Sequence, residues 1–172
     1  MSENANADNI KKAIFNLVKG VFGFVPNILK EVGKSICALK IYTSARVAFE
    51  HSTLTLVEIN AVQLAVSYKN DCFYCIRAHT VAGKKFGADP EHISALQRGE
   101  LPADTRIANL VTTAWLLMDK QGHLDKDDLE DIEVKGISRA ELYDLVAIIA
   151  VKTITNYINH IAQTEVDEGF AD

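Results

Sequence analysis

Hydrophobic positions recur at spacings of three and four along nearly the whole chain, while the two-residue alternation of strands is missing, so the pattern predicts helices throughout. The clearest segment runs from Thr55 to Tyr68. Thr55-Leu56-Val57-Glu58 is a capping-box pattern, flanked by Leu54 and Ile59 as a hydrophobic staple. Its interior (Ala61, Val62, Leu64, Ala65, Val66) is apolar around most of the circumference, which marks a buried central helix. Asn70-Asp71 then interrupts the pattern, and Asp71 is placed to cap a helix that begins at Cys72 and runs to Phe86, with Gly87 as its stop.

Downstream, Asp89-Pro90 restarts a helix with proline at its first position. From Thr105 the residues Ile107, Leu110, Val111, Ala114, Leu117 and Met118 keep to one helical face. A turn at Gln121-Gly122 leads to a short acidic helix capped by Asp125. Ser138-Arg139-Ala140-Glu141 is a second capping box, with Ile137 and Leu142 as its staple. The helix it opens is long and amphipathic, with Val151, Ile154, Ile158 and Ile161 as its apolar stripe. The N-terminal quarter reads as a helix near Ile10 to Val18, a loop from Gly20 to Pro26, and another helical stretch. The fold class is therefore all-α, a single helical domain over residues 1–172 with its core at about 23–167 and residues 1–8 disordered.

At 172 residues the chain is long enough to bury a sizeable core. Its 48% hydrophobic and 24% charged residues are ordinary for a globular protein, and a net charge of -5 disfavours nucleic acid or an anionic membrane surface as a partner. The polar, acidic opening from Met1 to Asp8 is no secretory signal. The longest strongly apolar stretch, Leu145 to Val151, falls far short of a bilayer span. Three cysteines are an odd count and fit a reducing cytoplasm, so a cytoplasmic location is expected. Cys37, among apolar neighbours, reads as a small buried hydrophobe and is expected to be unreactive.

The candidate chemistry lies in Asp71-Cys72-Phe73-Tyr74-Cys75-Ile76-Arg77-Ala78-His79. Thiols three positions apart can close a reversible disulfide. At about 100° per residue, Cys75 and His79 fall within roughly 60° of Cys72 on one side of a helix. A helix start favours a thiolate at Cys72, and His79 is one turn from Cys75 as its base. A structural zinc needs four ligands and no second Cys or His pair exists, so neither metal nor cofactor is expected.

The remaining histidines carry less. His51 and His123 sit at helix ends, and His92 is early in a short surface helix. His160 closes the polar cluster Asn156-Tyr157-Ile158-Asn159-His160, which reads as an interhelical hydrogen-bond network. Trp115 on its apolar face reads as core.

The run from Leu54 to Glu58, together with that from Val66 to Thr80, closely resembles the core of the carboxymuconolactone decarboxylase superfamily, and more narrowly its alkyl hydroperoxidase D branch. Gly23-Phe24-Val25-Pro26-Asn27-Ile28-Leu29 and the stretch from Thr155 to Ala162 are similar to its peroxidase-related members, so the resemblance spans about Gly23 to Asp167. It implies an all-helical bundle assembling as trimers or hexamers. It also implies a dithiol that reduces hydroperoxides and is re-reduced by an electron-donor protein or a small thiol. By resemblance Cys75 is the peroxide-attacking nucleophile, Cys72 the resolving thiol, and His79 part of a proton relay. Two positions depart from the pattern: Tyr74 stands where a relay histidine is expected, and Asn60 where a glutamate is. Glu58 is the nearest carboxylate, besides being the capping acid of its helix, and with Tyr74 it is a candidate replacement.

The expected function is a thiol-dependent peroxidase or disulfide reductase. Two alternatives are a lactone decarboxylase or isomerase, which needs no cysteine pair, and a non-catalytic redox-sensing oligomer.

Overall fold

The structure is a computed structural model that describes residues 3–171. Nine α-helices follow one another among these residues, and no strand occurs among them: α1 (Glu3–Phe22), α2 (Asn27–Val32), α3 (Ile36–Ala48), α4 (Leu56–Lys69), α5 (Phe73–Lys85), α6 (Pro90–Gln97), α7 (Thr105–Asp119), α8 (Lys126–Val134) and α9 (Arg139–Ala162). The all-α reading holds. The first helix is longer than its apolar pattern suggested. It is helical from Glu3, so most of the stretch expected to be disordered is not, while residues 1 and 2 lie outside the described residues.

The capping chemistry settles the helix starts. Both capping boxes form as read, Thr55 with Glu58 and Ser138 with Glu141, and Asp125 makes a third with Asp128. Arg106 on α7 bridges the two capping acids Glu58 and Glu141, which ties the N-termini of α4 and α9 together.

Helix α4 lies at the centre, against α5, α6, α7 and α9. One side of it (Ile59, Val62, Val66) packs with Leu110, Ala114, Leu145 and Ile148, and another (Ala61, Leu64, Ala65) with Ile93, Leu96 and Val111. This is why its sequence is apolar nearly all round. Trp115 is only partly buried, and its indole N–H donates to the Ala65 carbonyl at 3.1 Å. A third cluster joins Ile28, Leu29, Val32, Leu39 and Phe170 to Cys72, Tyr74 and Cys75.

The α4–α5 junction departs from the expected cap. Asp71 does not cap α5; it is the left-handed residue (φ 52°) that ends α4. Its N–H donates to the Tyr68 carbonyl at 2.9 Å, and the Cys72 N–H to the Ser67 carbonyl at 2.9 Å. This is a Schellman motif, so Cys72 is at once the residue closing α4 and the N-cap of α5. Two helices thus meet with no linker between them, and the first thiol sits at the corner.

Two further expectations are corrected. Cys37 is exposed, because α3 buries Leu39 and a residue two positions earlier points about 200° away. On α9 the apolar stripe reaches the core only in part: Val151 is buried and Ile158 packs against the third cluster, but Ile161 is 85% exposed, and Lys152, Thr155, Asn156 and Asn159 are buried as well. Helix α9 has the length and mean hydropathy of a membrane span, yet these polar residues form part of its buried face.

The left-handed turn predicts a stability pattern. Asp71→Gly relieves the positive φ and should leave stability unchanged or raise it by up to about 1 kcal/mol, whereas Asp71→Val should cost about 1–2 kcal/mol. Urea unfolding midpoints at constant slope measure both, and a tolerated valine would contradict the turn.

Candidate active site

The Cys72 N-cap puts Cys75 at the third position of α5, and both thiols are buried and unbridged. Helix α9 crosses over them with residues 152, 155, 156 and 159, the three-and-four spacing of a single face. The Asn159 side-chain amide donates to Cys75 Sγ at 3.1 Å and to Cys72 Sγ at 3.6 Å. Asn156 accepts from the Asn70 amide at 2.9 Å and donates to Ser67 Oγ at 3.5 Å. The polar cluster near the end of α9 is therefore partly the expected interhelical network and partly the roof of the dithiol. His160 belongs to neither; it is exposed and stacks on Tyr157 with centroids 6.3 Å apart.

A second polar chain starts from Asn60 on α4. Its amide N–H donates to the His79 carbonyl at 3.0 Å, which can only accept, so its Oδ1 is the atom turned to His79 Nδ1, also at 3.0 Å. His79 must then carry its proton on Nδ1, leaving the Nε2 lone pair to accept from Lys152 Nζ at 2.8 Å. Burial, followed by the charges of Lys152 and Arg46, holds the imidazole well below its ordinary range, so His79 is neutral at physiological pH. The close approach of α4 and α5 depends on Gly83, where a Cβ would lie 2.8 Å from Asn60 Nδ2.

This chain changes the part expected of His79. Both its ring nitrogens are committed, to Asn60 and Lys152, and no hydrogen bond joins it to Cys75 among the described residues. Its ring is thus turned to Lys152 and not hydrogen-bonded to the thiol that it was expected to serve as base.

The two thiols are electrostatically unlike. The hydrogen bond from Cys72 draws the Cys75 thiol below the ordinary cysteine range; burial opposes this, and the Lys152 charge with the Asn156 and Asn159 amides adds to it. Cys72 moves the opposite way, raised by Cys75 and by burial. Of the two, Cys75 is the thiol whose ionisation the site favours, and Cys72 the one whose ionisation it opposes.

Glu58 and Tyr74, the candidate relay replacements, are both engaged elsewhere. Glu58 Oε2 accepts from the Thr55 N–H at 2.7 Å and its Oε1 from Arg106 Nε at 2.9 Å. Burial pushes this carboxyl up, but the Thr55 and Arg106 bonds outweigh it and hold it below its usual value. The Tyr74 hydroxyl donates to Asp167 Oδ2 at 2.5 Å and accepts from the Ile28 N–H at 3.3 Å. Burial, and then Asp167, push its ionisation up. Tyr74 thus pins the C-terminal segment over the site, where Phe170 packs edge-on against its ring at 5.9 Å. Cys72, Cys75 and His79 do not converge as a metal-ligand set.

A cleft of about 60 Å³ reaches Cys75, lined among others by Arg46, Tyr74, His79, Lys152 and Thr155. Against roughly 30 Å³ for a water molecule, it admits a head group of a few atoms. Arg46, Tyr42 and Leu29 also line a wider groove of about 450 Å³ on α1–α3. Sequence reasoning missed Lys152, and no motif marks it. Its signal was a lysine in register with Asn156 and Asn159 within an otherwise apolar helix.

The polar roof gives a measurable consequence. The pH midpoint for iodoacetamide alkylation of Cys75 should lie below the ordinary value of 9.0. Lys152→Met and Asn159→Leu remove a cation and a donor that favour the anion, so each should raise that midpoint. Unchanged midpoints would show that neither group touches the thiolate.

Similarity to known proteins agrees with the geometry. Residues 38–116, from α3 to α7, match the model of the carboxymuconolactone decarboxylase family. A search of curated proteins finds no match. Among solved structures, an uncharacterized peroxidase-related protein from Silicibacter sp. TM1040 is 22% identical, with a TM-score of 0.81 over 95% of this chain and 87% of that one. The alkylhydroperoxidase AhpD core of an uncharacterized peroxidase-related protein from Ralstonia eutropha JMP134 is 19% identical, with a TM-score of 0.84 over 98% and 91%. The debrominase Bmp8, solved with 2,3,4-tribromopyrrole, is 15% identical, with a TM-score of 0.76 over 99% and 91%. The part of the chain that carries the dithiol thus matches the carboxymuconolactone decarboxylase family, and over nearly its whole length the chain has the fold of these peroxidase-related and debrominase structures.

Proposed function

We propose that the protein is a thiol-dependent peroxidase that reduces hydroperoxides through Cys72 and Cys75. The observation that carries this reading is the asymmetry of the buried dithiol: a Cys75 thiolate, held by Cys72 and Asn159, at the end of a narrow cleft. The thiolate attacks the terminal oxygen of the hydroperoxide, forming Cys75 sulfenic acid as the O–O bond breaks. Cys72, with its proton, then attacks the sulfenic sulfur; a disulfide forms and water leaves. A dithiol reductant, protein or small molecule, returns both thiols, which requires a reducing compartment such as the cytoplasm.

The small cleft suits the peroxide head, with an organic substituent extending past Arg46 into the groove on α1–α3. A lactone decarboxylase would have no use for polar groups aimed at two sulfurs. A redox sensor would oxidise stoichiometrically and stop, whereas an enzyme turns over.

Hydroperoxide consumption should therefore continue with a suitable reductant and vanish in Cys75→Ser. Cys72→Ser should yield a dimedone adduct on Cys75 but no disulfide, leaving Cys75 open to overoxidation. An adduct confined to Cys72 in the Cys75→Ser protein would reverse the two roles.

We also propose that the chain works as a homo-oligomer, a trimer or hexamer. Supporting this, the outer face of α9 exposes Tyr143, Val146, Tyr157 and Ile161 together. Light scattering should give a mass that is a multiple of 19.0 kDa at micromolar concentration, and a 19.0 kDa particle would count against assembly.

A further inference from the structure

Lys152 is 5% exposed and has no carboxylate partner among the described residues. An ammonium cannot stay buried without a counter-charge. The titratable groups that line the cleft with it are Tyr42 and Arg46 from α3, and Tyr74, Cys75 and His79 from α5. Asp167 of the C-terminal segment, the carboxylate bonded to Tyr74 on the cleft wall, is occupied by the Tyr74 hydroxyl and the Asn27 N–H. Arg46 is a cation and His79 is neutral, which leaves the Cys75 thiolate as the anion that balances Lys152. That anion exists only while the dithiol is reduced. Attack on a peroxide consumes it in the same step that gives the departing oxygen a negative charge.

We propose, resting on the peroxidase reading, that Lys152 is the general acid for this step: its ammonium pairs with the Cys75 thiolate before reaction and protonates the leaving oxygen during it. The other donors lining the cleft are engaged or set apart. Thr155 gives its hydroxyl proton to the Lys152 carbonyl, and Tyr42 stands on the wall shared with the wider groove. Tyr42→Phe should therefore lose far less of the alkyl hydroperoxide rate than Lys152→Met, and an equal loss would overturn the assignment. The single ring proton of His79 is on Nδ1 and faces Asn60 Oδ1. The Tyr74 proton is given to Asp167. A guanidinium such as Arg46 does not release a proton in a protein. Lys152 spends one N–H on His79 Nε2, which fixes its direction, and keeps two others free to turn.

The step balances. The S–O bond forms from the thiolate pair as the O–O bond breaks; the alkoxide leaves with that bond's electrons and takes a proton from Lys152. The products are Cys75 sulfenic acid, an alcohol and a neutral amine. The neutral amine then needs no counter-ion through the disulfide state, and it regains its proton when reduction restores the Cys75 thiolate.

The test compares two oxidants that differ in how much their leaving group needs a proton. tert-Butyl hydroperoxide expels an alkoxide, whereas peracetic acid expels a carboxylate that is stable as an anion at neutral pH. Stopped-flow rates of Cys75 oxidation are divided by the thiolate fraction, read from its ultraviolet absorbance. In Lys152→Met the corrected rate with tert-butyl hydroperoxide should fall about 100-fold, and that with peracetic acid by no more than a few-fold. Lys152→Arg keeps a cation beside the thiolate but gives up no proton, so it should retain the thiolate and lose the same alkyl hydroperoxide rate. Equal losses with both oxidants in Lys152→Met, or a wild-type rate in Lys152→Arg, would overturn the assignment. A wild-type dithiol oxidised by peracetic acid alone overturns the hydroperoxidase reading and the general acid with it.

Discussion

A buried cation and a buried dithiol have to satisfy one another in this protein, and much of its second half is organised around that requirement. Lys152 has left water without a carboxylate, and Cys75 has left water among apolar neighbours. Each alone would cost several kcal/mol, or would neutralise. Brought together under the Asn159 amide, the thiolate and the ammonium offset one another, and the cysteine carries the charge that its chemistry needs. The same pairing explains why α9 turns polar residues inward along a stretch where its sequence has apolar residues to spare.

The pairing depends on α4, α5 and α9 holding their register. The Schellman turn at Asp71 leaves no slack between α4 and α5, so Cys72 is fixed by the end of one helix and the start of the next. Gly83 lets Asn60 approach closely enough to bond both the backbone and the ring of His79. Asparagine is neutral, so it fixes the tautomer of His79 without raising its basicity, as a carboxylate at this position would. In this chain the Asn60 side chain leaves the Nε2 atom of His79 to accept from Lys152.

Much was legible in the sequence because it depends on local physics. Helix starts follow from side chains that bond N–H groups three residues on, which is why Thr55, Ser138 and Asp125 were readable as caps. The all-round apolar character of α4 correctly marked it as central, since only a helix packed on several sides can bury such a surface. The thiol pair and His79 share one helix, so their nearness follows from helical geometry alone.

By itself, then, the sequence determined the helices, the dithiol and the superfamily pattern that surrounds it. Tertiary structure alone decided how those thiols are set apart. Lys152 and Asn159 lie more than seventy residues beyond the cysteines, and only the crossing of α9 over α5 brings them to the sulfurs. The commitments of Glu58 to Arg106 and of Tyr74 to Asp167 are likewise long-range, so no spacing argument could show them. Cys37 and the Ile161 end of the α9 stripe were misplaced for the same reason: periodicity says which residues share a face, but which face is buried depends on what packs against it.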